Sequence, residues 1–344
     1  MAVKTRLSVA ATLSLLLSQG VVSAAVLPIN QPLPATVPAG TQLNVADQDE
    51  VLQTLFRASG QNKHLKAKVH FGNFSDGPEI LEAFRAGAVD VAVVGDAPPI
   101  QAQANGNAVL IVGVQQNSDR EYQLAIAPGA KVSSLDQLRG KKIANAPGTG
   151  REAYLYRVLE KAGLGLQDVQ LVTLQTGNFT DAVRSGEVDA AALKEPNLTQ
   201  YLSAYKAKGG TVLGTEVTSG GSTGLRYLYA RRSALEDPAK AAALKEFVAN
   251  WVQSWQWANH HPQQWIDAYY VKNQGLNAAN GKLINDVAGP THFPRIDQHL
   301  FDTQQHTADL LLKAGSIPRK VNAAEEFDVR FDAVIQQAAK NHAS

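Results

Sequence analysis

Short runs of Val, Ile, Leu and Ala recur along the chain, separated by longer segments whose apolar residues fall at helical spacing. TQLNVA (41–46), AKVHF (67–71), VDVAVVG (89–95) and AVLIVGVQ (108–115) read as strands, with helices in DEVLQTLFRASG, PEILEAFRAG and PPIQAQANG between them. The alternation resumes in REYQLAIA (120–127), KKIANA (141–146), VQLVTL (169–174), VDAAAL (188–193) and TVLG (211–214). Helices in TGREAYLYRVLEKAG and PNLTQYLSAYKAKGG interrupt it. Continuous apolar runs between such helices predict parallel strands covered on both faces. After a last strand in GLRYLYA (224–230) the pattern is almost wholly helical from Pro238 onward, including FVANWVQSWQWANHHPQQWIDAYY (247–270).

One corner is written twice. FRAGAVDVAVVGDAPP (84–99) and VRSGEVDAAALKEP (183–196) set Arg85 over Arg184, Gly87 over Gly186, Val89 over Val188, Asp90 over Asp189 and Asp96 over Glu195. Each copy reads as a last helical turn, a glycine stop, a buried strand, then an acidic residue and a proline opening the next helix. The repeat predicts two related α/β lobes that offer strand-end loops to a shared cleft. Residues 41–118 form the first part of lobe I and 119–218 form lobe II. Residues 219–344 return to lobe I and add the C-terminal helices. The polar or glycine-rich stretches 116–122 and 215–224 are the expected joints. GNFSD (72–76) and GNFTD (177–181) are 105 residues apart, whereas the corners are 99 apart, so they read as unrelated.

The loops that open helices carry the candidate chemistry. They comprise the turn around Gln48, the segment with Ser75, Asp76 and Gly77, the corner with Gly95 and Asp96, and the loop with Thr149, Gly150 and Arg151. Glu195 of the second corner and Thr223 of the second joint complete the expected ligand-binding set. A helix start carries roughly half a positive charge on its unpaired N–H groups, so several converging starts favour an anion. Ser75 and Thr149 are expected to bring hydroxyl donors from opposite lobes, and Gly77 and Gly150 to admit close backbone approach. Arg151 is expected to reach the anion, with Asp96 accepting from donors or orienting Arg151.

Composition narrows the function classes. The chain has 344 residues, 44% of them hydrophobic, enough for two domains with separate cores. Lys4 and Arg6 precede a short apolar run, and VVSA ends at Ala24, which reads as a cleaved secretory signal over 1–24. A proline-rich extended leader follows over 25–40. Without the signal, 30 basic residues face 31 acidic ones, so nothing marks nucleic acid or an acidic membrane as a partner. The absence of cysteine excludes disulfides, thiolate metal sites, a cysteine nucleophile and an acylated N-terminal cysteine. No nucleotide-binding loop or G-x-S-x-G elbow occurs, and His292, His299 and His306 do not share one helix because Pro294 intervenes. The expectation is a soluble periplasmic monomer that is not an enzyme and carries no cofactor or metal. The tryptophans Trp251, Trp255, Trp257 and Trp265 read as helix-packing core.

SDGPEILEAFRAGAVDVAVVGDAPPIQAQANG (75–106) and SSLDQLRGKKIANAPGTGREAYLYRVLEKAGL (133–164) together resemble the periplasmic substrate-binding proteins of ABC importers for nitrate, sulfonates and taurine. The resemblance runs from about residue 43 to 330. It implies an α/β, two-lobed type II periplasmic binding protein fold with a central cleft and two chain crossovers. It also implies a small anionic ligand containing sulfur or nitrogen, and an inner-membrane permease and its ATPase as partners. At LKEPNL (193–198) the chain departs from the family's Trp-Asp-Pro-Tyr type of corner, with Lys194, Glu195, Pro196 and Asn197 instead. A wider, more polar wall leaves room for an organic tail, which points to an aliphatic sulfonate or sulfate ester captured by lobe closure. Nitrate, taurine, a thiamine-pyrimidine precursor, and an enzyme or sensor on the same fold are the alternatives.

Overall fold

The computed structural model describes residues 26–120 and 122–340, so the expected signal segment lies outside the described residues. Ten strands build two five-stranded sheets. They are β1 (Gln42–Asp47), β2 (Lys68–Asn73), β3 (Val91–Val94), β4 (Val109–Gln116) and β5 (Tyr122–Ile126), then β6 (Lys142–Asn145), β7 (Gln170–Thr173), β8 (Ala190–Lys194), β9 (Thr211–Val212) and β10 (Leu225–Arg231). The strand orders are β2-β1-β3-β10-β4 and β7-β6-β8-β5-β9. The covering helices up to the second crossing are α1 (Val51–Ala58), α2 (Gly77–Arg85), α3 (Ala97–Ala104), α4 (Gly150–Lys161), α5 (Phe179–Ser185), α6 (Asn197–Tyr205) and α7 (Thr215–Thr218). Beyond it come α8 (Arg232–Glu236), α9 (Pro238–His260), α10 (Pro262–Trp265), α11 (Ala278–Ala288), α12 (Gln298–Lys313) and α13 (Asp332–Lys340). This is the two-lobed type II periplasmic binding protein fold.

The sheets are mixed rather than wholly parallel. β1 pairs parallel with β2 and β3, and β6 with β7 and β8, but β10 runs antiparallel to β3 and β4, and β5 antiparallel to β8 and β9. The reversed strand is in each case the first one entered after the chain crosses between sheets. The chain leaves β4 or β9 at the carboxyl end of its sheet and enters the facing sheet from that same end, so the next strand must run backwards. Apolar runs alone do not carry this direction, because a strand buried on both faces reads alike either way.

The repeated corner folds the same way twice. Gly87 and Gly186 end α2 and α5 with φ of 70° and 78°, the left-handed conformation a glycine stop supplies without strain. The Asp90 N–H donates to the Asn44 carbonyl at 2.8 Å, and its Oδ2 accepts from the Asn44 N–H at 3.0 Å. Asp189 makes the same two bonds with Lys142, both at 2.8 Å. These aspartates pin each corner's strand to its neighbour. GNFSD and GNFTD, read as unrelated, sit at corresponding strand-to-helix passages, GNFSD from the end of β2 towards α2 and GNFTD from the turn after β7 into the first turn of α5. Gly72 lies inside β2 whereas Gly177 lies beyond the end of β7, which is why their register disagrees with that of the corners.

Each sheet has its own core. Leu43, Phe56, Val91, Tyr229 and Trp251 sit in the first, Leu124, Ile143, Tyr154, Phe179 and Leu193 in the second. Ala308 and Leu311 of α12, with Ile317 and Val321 after it, pack into the second core. The C-terminal region therefore touches both halves of the molecule.

Candidate functional site

A pocket of about 260 Å³ lies where the carboxyl ends of the two sheets face each other. From the first sheet come Gln48, Ser75, Asp76, Gly77 and Gly95; from the second come Thr149, Gly150 and Arg151. The starts of α2, α3 and α4 abut there. A side chain on Gly77 would meet the Pro98 ring at 2.6 Å, and one on Gly150 would meet the Tyr122 hydroxyl at 2.9 Å. Only glycine lets these helix starts come so close. Gln48 is positioned by Asp47, whose carboxylate accepts from the N–H groups of Gln48, Leu52 and Gln53, each at 2.9 Å. Burial raises the Asp47 carboxyl to about 6 despite those bonds.

The candidate side chains have partners of their own in this structure. The Ser75 N–H and hydroxyl both donate to Glu79 Oε2, at 2.8 and 2.6 Å. Those bonds, the hydroxyl's first, hold the Glu79 carboxyl below its usual range. The Thr149 hydroxyl donates to the Ala146 carbonyl at 2.7 Å. Both hydroxyl protons are engaged within their own loops in this structure. Asp76 caps α2 by accepting from the Glu79 N–H at 3.2 Å.

Asp96 neither lines the pocket nor orients Arg151; it forms a buried ion pair with Arg157 of α4. The pair joins the two lobes immediately behind Gly95. Arg157 also donates to Thr307 Oγ1 and, at 3.2 Å, to the Gly221 carbonyl. Arg151 lines the pocket from the second sheet, with Nε on the Ala192 carbonyl at 3.2 Å and its guanidinium 5.9 and 5.6 Å from the Tyr122 and Phe179 ring centres. Glu195 caps α6, accepting from the Thr199 N–H and hydroxyl at 3.0 Å each. The Thr223 carbonyl accepts from Gln116 Nε2 at 3.3 Å, and its hydroxyl oxygen from the Leu225 N–H at 3.3 Å; it lies outside the pocket.

Sequence reasoning missed the residues that give the pocket its charge. Lys194 ends β8, and Arg226 stands near the start of β10. Both line the pocket with Arg151, beside the carboxylates Asp49 and Asp76. Lys194 Nζ reaches across the cleft to Asp49 Oδ2 at 2.8 Å. Lys194 first, then Arg226 and Arg151, hold the Asp49 carboxyl below its usual range. Asp49 and Glu50 adopt φ of 54° and 57°, a left-handed conformation that costs non-glycine residues energy and clusters at functional sites. The turn is clamped from the C-terminal region, where Gln274 Nε2 donates to the Asp49 carbonyl at 3.0 Å and Asn273 Nδ2 to Glu50 Oε2 at 2.7 Å.

A second cavity of about 480 Å³ opens beside the first and shares Asp49, Lys194, Pro196 and Arg226 with it. The tryptophans pack in hydrophobic clusters as expected, Trp251 in the first core and Trp265 in a smaller cluster with Trp255 and Trp257 against it. Trp255 and Trp265 also line this cavity, together with Tyr269 and Tyr270. The two tyrosines belong to a π-helix, Ile266–Asn273, a rare winding found mostly at functional sites. Among the described residues no helix is long and apolar enough to cross a membrane, and no cluster of His, Cys, Asp and Glu could hold a metal ion.

Two lobes that offer strand-end loops and charged side chains to one pocket form a small-ligand site of the kind a solute-binding protein uses. More narrowly, the chain is similar to the substrate-binding proteins of ABC importers, a family whose members take up a small ligand and work with a permease and its ATPase. The family of ABC-transporter phosphonate periplasmic substrate-binding proteins matches residues 61–229. The chain is 29% identical over 262 residues, 76% of its own length and 80% of the relative's, to an aliphatic sulfonates-binding protein of Escherichia coli (strain K12). It is 26% identical over 284 residues, 80% of each chain, to the protein of that name from Bacillus subtilis (strain 168). The crystal structure of the Escherichia coli periplasmic aliphatic sulphonate binding protein SsuA shares its fold with a TM-score of 0.71 at 26% identity, covering 85% of this chain and all of that one. The alkanesulfonate-binding protein SsuA from Xanthomonas axonopodis pv. citri, bound to MOPS, superposes with a TM-score of 0.73 at 24% identity, covering 84% and 99%.

Proposed function

We propose that this protein captures a small organosulfur anion, a sulfonate or sulfate ester, in the cleft and hands it to an inner-membrane importer. The observation that carries the reading is the convergence of three helix starts with Arg151, Lys194 and Arg226 on one small pocket between the sheets. Relatives named for aliphatic sulfonates support the ligand class. A tetrahedral sulfonate offers three oxygens to donors arriving from both lobes, so it is gripped best when the lobes close on it. The cations neutralise its charge, and the backbone N–H groups at the helix starts set its orientation. We place the protein in the periplasm, released by cleavage near Ala25 and acting as a monomer. Lobe I is built from 41–118 and 219–344, and lobe II from 119–218.

Calorimetric titration of the purified mature protein against methanesulfonate, benzenesulfonate, an alkyl sulfate, methylphosphonate, nitrate and a pyrimidine is the test. Micromolar or tighter binding, about −8 kcal/mol, is expected for organosulfur anions. Nitrate or the pyrimidine binding tightly while every organosulfur anion fails would overturn the assignment.

A further inference from the structure

The larger cavity opens beside the pocket proposed to hold the anion. Its contact with that pocket is a neck formed by Asp49, Lys194, Pro196 and Arg226. Beyond the neck one wall is aromatic. Trp255 meets Trp265 edge-on, with ring centres 5.6 Å apart and planes at 72°, and Trp265 stacks on Tyr269 at 4.9 Å and 2°. Tyr270 meets Tyr269 edge-on at 5.1 Å and 65°. The rings hold one another in place, and burial pushes the Tyr270 hydroxyl up to about 12, so the wall stays uncharged at neutral pH.

The opposite wall is polar, with Gln115, Arg120 and Asn285 among its lining, and some of its other side chains are committed to their neighbours. Asn117 Nδ2 donates to Thr291 Oγ1 at 2.9 Å, Asn259 exchanges bonds of 2.8 and 2.9 Å with the Thr291 backbone, and Ser118 donates to the Val287 carbonyl at 2.7 Å. A polar tail entering here would give up water and find those three side chains engaged, although Gln115 Oε1 and Trp255 Nε1 are buried without a hydrogen-bond partner among the described residues. An apolar ring would bury its faces against aromatic walls already set in stacked and edge-on geometry. A one-carbon sulfonate would fill the smaller pocket and leave the larger one in contact with water.

Taking the anion site proposed above as given, we infer that the preferred ligands are aryl sulfonates or aryl sulfate esters. The anionic head sits among Lys194, Arg226 and the helix starts, and one or two fused rings occupy the chamber of Trp255, Trp265, Tyr269 and Tyr270. The neck places the charge beside the cations and directs the ring away from them, so both parts of such a ligand meet matching surroundings at once.

The test is a paired titration of the mature protein with naphthalene-2-sulfonate, octane-1-sulfonate and methanesulfonate, followed by calorimetry and tryptophan fluorescence. Naphthalene-2-sulfonate is expected to bind at least about tenfold more tightly than either of the others and to change the tryptophan emission. Tyr270→Ala and Trp255→Leu, both at partly exposed positions, are each expected to cost naphthalene-2-sulfonate about tenfold while leaving methanesulfonate binding unchanged. Circular dichroism and retained methanesulfonate binding report on the folding of the variants, and Trp255→Phe, which keeps a ring, is expected to restore most of the loss. Methanesulfonate or octane-1-sulfonate binding as tightly as the arene would overturn the inference and leave the organosulfur reading intact. So would variants that weaken naphthalene-2-sulfonate and methanesulfonate equally. Failure of all three sulfonates would remove the organosulfur reading itself.

Discussion

Replacing Arg157 with alanine is expected to lower the stability of the fold by about 3–5 kcal/mol, the cost of stripping one partner from a buried ion pair. The side chains of Arg157 and Asp96 are only 6% and 7% exposed, so the Asp96 carboxylate left behind would have little water to turn to. The pair ties α4 of the second lobe to the α3 start of the first, and Arg157 also holds Thr307 of α12 and the carbonyl of Gly221 in the second joint. Removing both charges together, as Arg157→Met with Asp96→Ala, is expected to cost clearly less than Arg157→Ala alone, because no lone charge is then buried. Urea unfolding of the three proteins measures this. A loss under about 1 kcal/mol for Arg157→Ala would show that the pair is not the joint between the lobes described here.

Glu326 is expected to make the protein less stable as pH rises from about 4.5 to about 8. Burial, opposed by a hydrogen bond from Gln304, raises its carboxyl to about 8. Gln304 Nε2 donates to Glu326 Oε2 at 2.9 Å and to the Asp96 carbonyl at 3.0 Å, which links this carboxyl to the ion pair behind the cleft. Glu326 Oε1, Gln304 Oε1 and the Tyr227 hydroxyl are buried without a hydrogen-bond partner among the described residues. A neutral carboxyl suits that setting, since it can donate as well as accept. The folded chain therefore keeps a proton that the unfolded chain releases near its ordinary value. The stabilisation is complete below the unfolded value and is lost as pH passes the folded one, a change on the order of 5 kcal/mol. Glu326→Gln, neutral at every pH, is expected to flatten the curve and to exceed the parent protein in stability at pH 9. Denaturant midpoints between pH 5 and 9 that fall in parallel for the two proteins would contradict this.

The sequence carried the two-sheet plan because the corner built around Gly87-Asp90 and Gly186-Asp189 is written in local signals. A glycine stop and an aspartate reaching to the next strand leave marks within a few residues of each other. The loops holding Ser75 to Gly77 and Thr149 to Arg151 were legible for a similar reason, since Gly and Pro at helix starts are positional signals. The cationic part of the pocket was not. Tyr122 and Arg226 lie at or near the starts of β5 and β10, the two reversed strands, and such starts reach the cleft only because those strands run backwards. Reading every strand as parallel sends these residues to the far side of the molecule. Lys194 stood in the quoted corner but was taken as a change of wall polarity; its partner Asp49 is 145 positions away, and nothing local links them. For a related reason Arg157 is not legible as the partner of Asp96, for which general donors or Arg151 are the expectation. Arg151 and Arg157 share a helix start and its second turn, and sequence order does not say which one faces α3.

The central claim is that an organosulfur anion sits between the lobes against Arg226 and Lys194. It is tested most directly by calorimetric titration of benzenesulfonate into the parent protein and into Arg226→Ala under identical salt. Arg226→Ala is expected to bind with roughly 10- to 150-fold lower affinity, the loss of about 1.5–3 kcal/mol that accompanies a missing hydrogen bond to a charged group. Equal affinities for the two proteins would place the anion elsewhere and contradict the account.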